Sequence, residues 1–83
     1  MTTKTSIRPI FEIAKEIRQD WQKPNYAAVP YLNAMRELVN ITDLYGYDSG
    51  KSIVSYFLSN AGQWRGDTAK KVKAELNMML KLK

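Results

Sequence analysis

The chain contains no cysteine and no histidine among its 83 residues. The first absence excludes disulfides, thiol nucleophiles and cysteine-ligated zinc or iron–sulfur centres. The second removes the commonest general base, the commonest metal ligand and the usual pH switch. An enzyme of this length would have to work with carboxylates, Lys, Tyr or Ser alone, so no enzymatic activity, no cofactor and no metal is expected. Glycine and proline are scarce, at four and three residues. That is little material for the turns of several short strands, which favours a few helices. No apolar run approaches the ~18–20 residues of a membrane span, and the N-terminal MTTKTSIRPIFEIAKEIRQ lacks the continuous apolar stretch of a signal peptide. The chain therefore reads as cytoplasmic, with no membrane partner.

What is present suits one small domain spanning residues 1–83. Hydrophobic residues make up 45% of the chain, enough for a modest core and too many for a disordered tail. The net charge of +5 is unevenly spread: +2 over residues 1–40, −1 over 41–62 and +4 over 63–83. Most of the excess positive charge thus falls in the last quarter, where a local basic face is plausible on charge grounds.

Apolar spacing predicts four helices. Ile10, Ile13, Ala14, Ile17 and Trp21 recur at three- and four-residue steps and define a first helix from Ile7 to Gln22. Thr5 or Ser6 could cap it, Pro9 fits its first turn, and KPN at Lys23–Asn25 ends it. A second helix starts near Val29, since Pro30 must lie in a first turn, and puts Ala28, Leu32, Met35 and Val39 on one face with Leu38 beside them. NITDLYGY reads as a connection, with at most one helical turn after Asn40 or Thr42. A third helix over Asp48–Ala61 buries Ile53, Val54, Phe57, Leu58 and Ala61, and Gly62 is placed to stop it. The fourth, from Asp67 onward, turns Ala69, Val72, Leu76, Met79 and Leu80 inward. The expected fold is all-α: a small irregular four-helix bundle, three helices long and one shorter or bent.

The stretch YGYDSGKS ends like a nucleotide-binding P-loop. Such a loop needs Gly, four residues, then Gly-Lys-Ser, and it must follow a buried strand. Here Gly46 stands three residues before Gly50, Tyr45 occupies the required glycine position, and NITDLY is polar and short. A helix start explains the segment better, with Asp48 or Ser49 as the cap.

Several other groupings could carry function. Glu12, Glu16 and Asp20 form a four-residue ladder on the first helix, which reads as a solvated face within pairing distance of Arg8, Lys15 and Lys23. Asp20 is the odd member, because a negative charge near a helix C-terminus is unfavourable without a partner. On the fourth helix Lys70, Lys73, Asn77 and Lys81 fall along one flank, with Arg65 before it and Lys71 adjacent. Arg65, Lys70, Lys71, Lys73 and Lys81 are the candidate nucleic-acid contacts, although lysine-rich helix faces also serve solubility alone. A helix-turn-helix centred on Gly66 is opposed by the charged neighbours Arg65 and Asp67, where that motif wants apolar residues. Trp64, between Gly62 and Gly66, reads as a core plug before a base-stacking platform. Among five tyrosines, Tyr31, Tyr45 and Tyr47 are the candidate contacts for a protein partner.

KEIRQDW, VPYLNAM and the long block YGYDSGKSIVSYFLSNAGQWRGDTAKKVKAEL resemble a group of short proteins from phages, plasmids and integrated elements of Gram-positive bacteria. The likeness runs from Ile13 to Leu80 and is most specific in SYFLSN, WRG and the alanine that follows. No activity or functional residue is assigned in that group, so the resemblance implies only a bacterial or phage cytoplasm and an accessory role. Two functional readings follow from the sequence. One is a non-enzymatic protein-interaction module with an unidentified protein partner. The other is an accessory nucleic-acid binder using the basic flank of the last helix.

Overall fold

The computed structural model describes residues 8–82. In chain order they form α1 (Ile10–Asp20), α2 (Val29–Met35), β1 (Leu44–Tyr45), β2 (Asp48–Ser49), α3 (Gly50–Ser59) and α4 (Asp67–Leu82). The four helices are present, α2 is the short one, and the expectation of a purely helical fold is corrected by the two-stranded ribbon. Each helix packs on two others: α1 and α3 both lie against α2 and α4.

The helix starts show how little side-chain capping this chain uses at its N-terminal end. Pro9 occupies the cap position of α1 and makes no side-chain cap bond. The first amides of a helix have no partner within it. Here Ile10 N–H donates to the Val39 carbonyl (3.0 Å) and Phe11 N–H to the Leu38 carbonyl (2.9 Å). The turn after α2 thus caps α1. The helix start expected at Ile7 and the caps expected from Thr5 or Ser6 fall outside the described residues.

Pro30 lies in the first turn of α2, as its missing N–H requires. The helix then stops at Met35 instead of continuing to Leu38. Glu37 N–H bonds to the Ala34 carbonyl and Leu38 N–H to the Met35 carbonyl, so the chain tightens into three-residue turns. This change of pitch keeps Leu38 buried and turns Val39 outward, 47% exposed, against the expectation that Val39 faced the core.

The segment expected as a plain connection is more organised than that. Asp43 N–H closes a turn onto the Asn40 carbonyl (3.0 Å). The ribbon follows, with Leu44 opposite Ser49 and Tyr45 opposite Asp48. Gly46 begins its two-residue turn at φ +64°, the left-handed conformation that hairpin turns demand and glycine supplies without strain. That glycine was available in the sequence as a hairpin signal.

Ser49 caps α3 by accepting the Ser52 N–H (3.1 Å), as expected. The helix ends at Ser59 with Asn60 as the cap residue, whose side chain donates to the Tyr56 carbonyl (2.9 Å). Gly62 is therefore not the stop: it lies beyond the cap, and among the described glycines only Gly46 and Gly66 have positive φ.

The core collects the predicted stripes. Ile10, Ile13, Ala14 and Ile17 of α1 meet Leu32 and Met35 of α2, Ile53, Val54 and Phe57 of α3, and Ala69, Val72, Leu76 and Met79 of α4, all buried. Ala28, Leu38, Ala61 and Trp64 close it from the connections, while Trp21, Leu58 and Leu80, expected inside, are only partly covered.

Gly50 is glycine for a packing reason. A Cβ there would stand 2.8 Å from the Ile41 carbonyl oxygen and 3.0 Å from that of Asn40, both backbone atoms. Its own amide already donates to the Asp43 carbonyl (2.6 Å). In a phosphate-binding loop that amide would face a ligand; here it fastens the start of α3. Ala normally stabilises a helix relative to Gly by about 0.5–1 kcal/mol. Gly50→Ala should do the reverse, costing about 1–3 kcal/mol through forced backbone movement. Thermal melting followed by circular dichroism measures it, and an unchanged or raised midpoint would show that the contact with residues 40–41 is not tight.

Candidate functional site

Five groupings of side chains stand out, and the structure treats them differently. The corner between α3 and α4 holds Trp64, only 2% exposed. Its ring stacks on Trp21 at 5.9 Å and 8° and meets Phe57 edge-on at 6.4 Å. Its indole N–H donates to Asp20 Oδ2 at 2.7 Å. This supplies the partner that the position of Asp20 at the end of α1 called for, and it leaves no open ring face for a nucleobase.

The carboxylate ladder of α1 is partly consumed. Arg8 donates from Nε and Nη2 to the two carboxylate oxygens of Glu75 (3.0 and 2.7 Å) and lies 2.8 Å from Glu16. The Glu75 hydrogen bond, aided by Glu16, raises the pKa of the guanidinium against the opposing effect of burial. Arg8 thereby ties the start of α1 to α4. Among the described residues neither Lys15 nor Lys23 forms an ion pair, contrary to the pairing expected. No group of three acidic side chains among those residues is placed to hold a metal ion.

On α4, Lys70, Lys71 and Lys81 are exposed, as is Arg65 before the helix. Lys73 is not a free member of that flank. Its ammonium donates to the Trp64 carbonyl (2.6 Å) and lies 5.9 Å from the centre of the Trp64 ring. Burial, and then the charge of Arg65, lower its pKa. Lys73 works mainly as a strap across the Trp64 corner. The connection from α3 to α4, residues 60–66, is longer than the ~3–4-residue turn of a helix-turn-helix, so that motif is not formed.

The hairpin brings Tyr45 and Tyr47 together and adds Leu44, which sequence reasoning did not single out. Leu44 is 72% exposed, Tyr45 is half exposed and Tyr47 wholly so. Tyr31 is not part of this group. It lies on α2, partly buried against the core, with its ring 5.4 Å from Tyr56. Asp43 holds the base of the hairpin: its Oδ2 accepts the N–H groups of Val39 and Asn40, both at 3.0 Å, and its carbonyl accepts from Gly50.

A fifth grouping was missed. Phe11, Lys15 and Arg18 line a groove of about 460 Å³ together with Arg36, from the turn after α2. The first three stand at i, i+4 and i+7, one face of α1, and could have been grouped from spacing. Arg36 could not, because only the tertiary capping of α1 by Leu38 and Val39 brings it there.

No family model matches the chain, and no curated protein or solved structure shows significant similarity to it. Among the described residues no helix is long and apolar enough to cross a membrane.

The Asp43 loop has a pH signature. The hydrogen bonds from Asn40 and then Val39 hold its carboxyl below the ordinary value of 3.8. A carboxylate whose pKa is depressed by folding stabilises the fold above its unfolded value, and that contribution is lost as pH falls through the folded one. The amide resonances of Val39 and Asn40 should therefore titrate together with a midpoint below 3.8. A midpoint at or above that value in an NMR acid titration would contradict the two hydrogen bonds.

Proposed function

We propose that the chain is a small non-enzymatic, cytoplasmic protein-interaction module whose contact point is the hairpin at residues 44–49. The observation that carries this reading is the concentration of Leu44, Tyr45 and Tyr47 on an exposed tip that is rigidly based. Single exposed apolar side chains are ordinary on any protein surface. Three within four residues, on a turn fixed by Asp43 and by the close approach of Gly50 to residues 40–41, form a preorganised apolar projection.

The physical argument is one of ordering cost. A mobile loop loses conformational freedom when it docks, whereas a hairpin already held in shape loses little. Tyrosine combines a large apolar ring with a hydroxyl that satisfies itself at a partly wet interface, and aromatic residues dominate binding hot spots. The absence of histidine and cysteine from the sequence supports a binding role over catalysis. The resemblance to accessory proteins of mobile elements agrees with a module that acts through a partner.

The test is affinity capture with tagged wild-type protein, Leu44→Ser/Tyr47→Ser, and Tyr26→Ser as a control for an exposed aromatic elsewhere. The double variant should keep its helical circular dichroism and bind the captured partner at least tenfold more weakly, while the control binds normally. Truncating a hot-spot residue costs ~2 kcal/mol or more, so the loss should be unambiguous. Equal binding by the double variant and the wild type would remove the hairpin from the interface.

A further inference from the structure

The groove between α1 and the turn after α2 is independent of the hairpin. Its wall is a row on α1, with Phe11, Lys15 and Arg18 on one face, completed by Arg36. Phe11 is 42% exposed, an unusual position for a phenylalanine in a chain whose other phenylalanine, Phe57, is wholly buried. Lys15, Arg18 and Arg36 are all exposed, and among the described residues none forms an ion pair or donates a side-chain hydrogen bond. Three positive charges around one concavity repel each other, and an anion seated there would relieve that repulsion. The volume, about 460 Å³, lies in the range of small-ligand sites.

We propose that this groove binds single-stranded nucleic acid, with phosphate on Arg18, Arg36 and Lys15 and a base laid against the Phe11 ring. The residue types match that ligand on both counts. Guanidinium groups present forked donors suited to phosphate oxygens. An exposed aromatic ring gives any base a stacking surface without demanding a sequence. A duplex hides its base faces in its own stack and could use only the cations. An acidic peptide would likewise meet the cations but bring no planar partner for Phe11. On the other side of Phe11 and Lys15 a neighbouring groove carries Glu12 and Glu16, so the strand is confined to the basic side and its footprint is short. The location differs from the α4 flank, where Lys73 is tied to Trp64 and the ring of Trp64 is covered.

Fluorescence anisotropy of a labelled oligothymidylate of about 12 nucleotides, at ~50 mM salt where phosphate contacts are strongest, provides the test. Arg18→Glu/Arg36→Glu should raise Kd at least tenfold. Lys70→Glu/Lys71→Glu makes the same change in net charge on α4 and should raise it less than threefold. Phe11→Ala, which changes no charge, should raise it about fivefold or more, as loss of one stacked base does. Circular dichroism must show all three folded; should the arginine reversal unfold, Arg18→Gln/Arg36→Gln takes its place under the same tenfold criterion. A duplex of the same length should bind more weakly than the single strand. Failure of the wild type to bind, equal loss from the two charge reversals, an unaffected Phe11→Ala, or tighter binding of a labelled poly-glutamate peptide would each overturn the proposal.

Discussion

Trp64 is the residue on which the rest of the arrangement depends. It lies outside any helix, yet its ring stacks on Trp21 at the end of α1 and meets Phe57 of α3, and its backbone carbonyl holds Lys73 of α4. Three helices converge on one side chain. The hydrogen bond to Asp20 completes the site, because a buried indole N–H without an acceptor would carry a desolvation penalty. The same bond gives a use to a carboxylate that stands at an unfavourable end of α1. A domain of this size buries a smaller fraction of its surface than a large one, so a single large plug carries a correspondingly large share of the stability.

A second dependence runs through residues 38–43. The Leu38 and Val39 carbonyls cap α1, which places Phe11 beside the turn that carries Arg36. The Asp43 side chain then binds the amides of Val39 and Asn40, and the Asp43 carbonyl holds Gly50 at the start of α3. One short irregular segment thus sets both the shape of the basic groove and the base of the tyrosine hairpin. Its backbone hydrogen bonds lie largely outside regular helix or sheet, so a change there reaches both surfaces at once.

The core was legible because helical periodicity is a property of neighbouring residues. Ile10, Ile13, Ala14 and Ile17, or Val72, Leu76 and Met79, declare their face by spacing alone, and all are buried. The failures share a different cause. Extending the period of α2 to Val39 places that residue in the core, but the turns tighten before it and leave it exposed. Gly62 suggests a stop for α3, a role that Asn60 fills with its own side chain. The ribbon escaped notice because two-residue strands are too short to show alternation, although Gly46 between two tyrosines marks its turn. Of the functional groupings, the tyrosines were half visible: Tyr45 and Tyr47 share the hairpin, while Tyr31 belongs with Tyr56. Spacing alone lines up the lysines of α4, but the link from Lys73 to Trp64 crosses between elements and leaves no mark in local spacing. The groove at Phe11 needed the same long-range information to acquire Arg36.

The dependence on Trp64 is open to one direct measurement, the helical circular dichroism of Trp64→Ala at room temperature. Truncating a buried tryptophan removes ~3–5 kcal/mol, and a single core of this size supplies only about 3–5 kcal/mol in all. The substitution should therefore leave a largely unfolded chain, with most of the helical signal lost. A variant that keeps the wild-type spectrum and a cooperative thermal transition would show that the helices hold together without the plug.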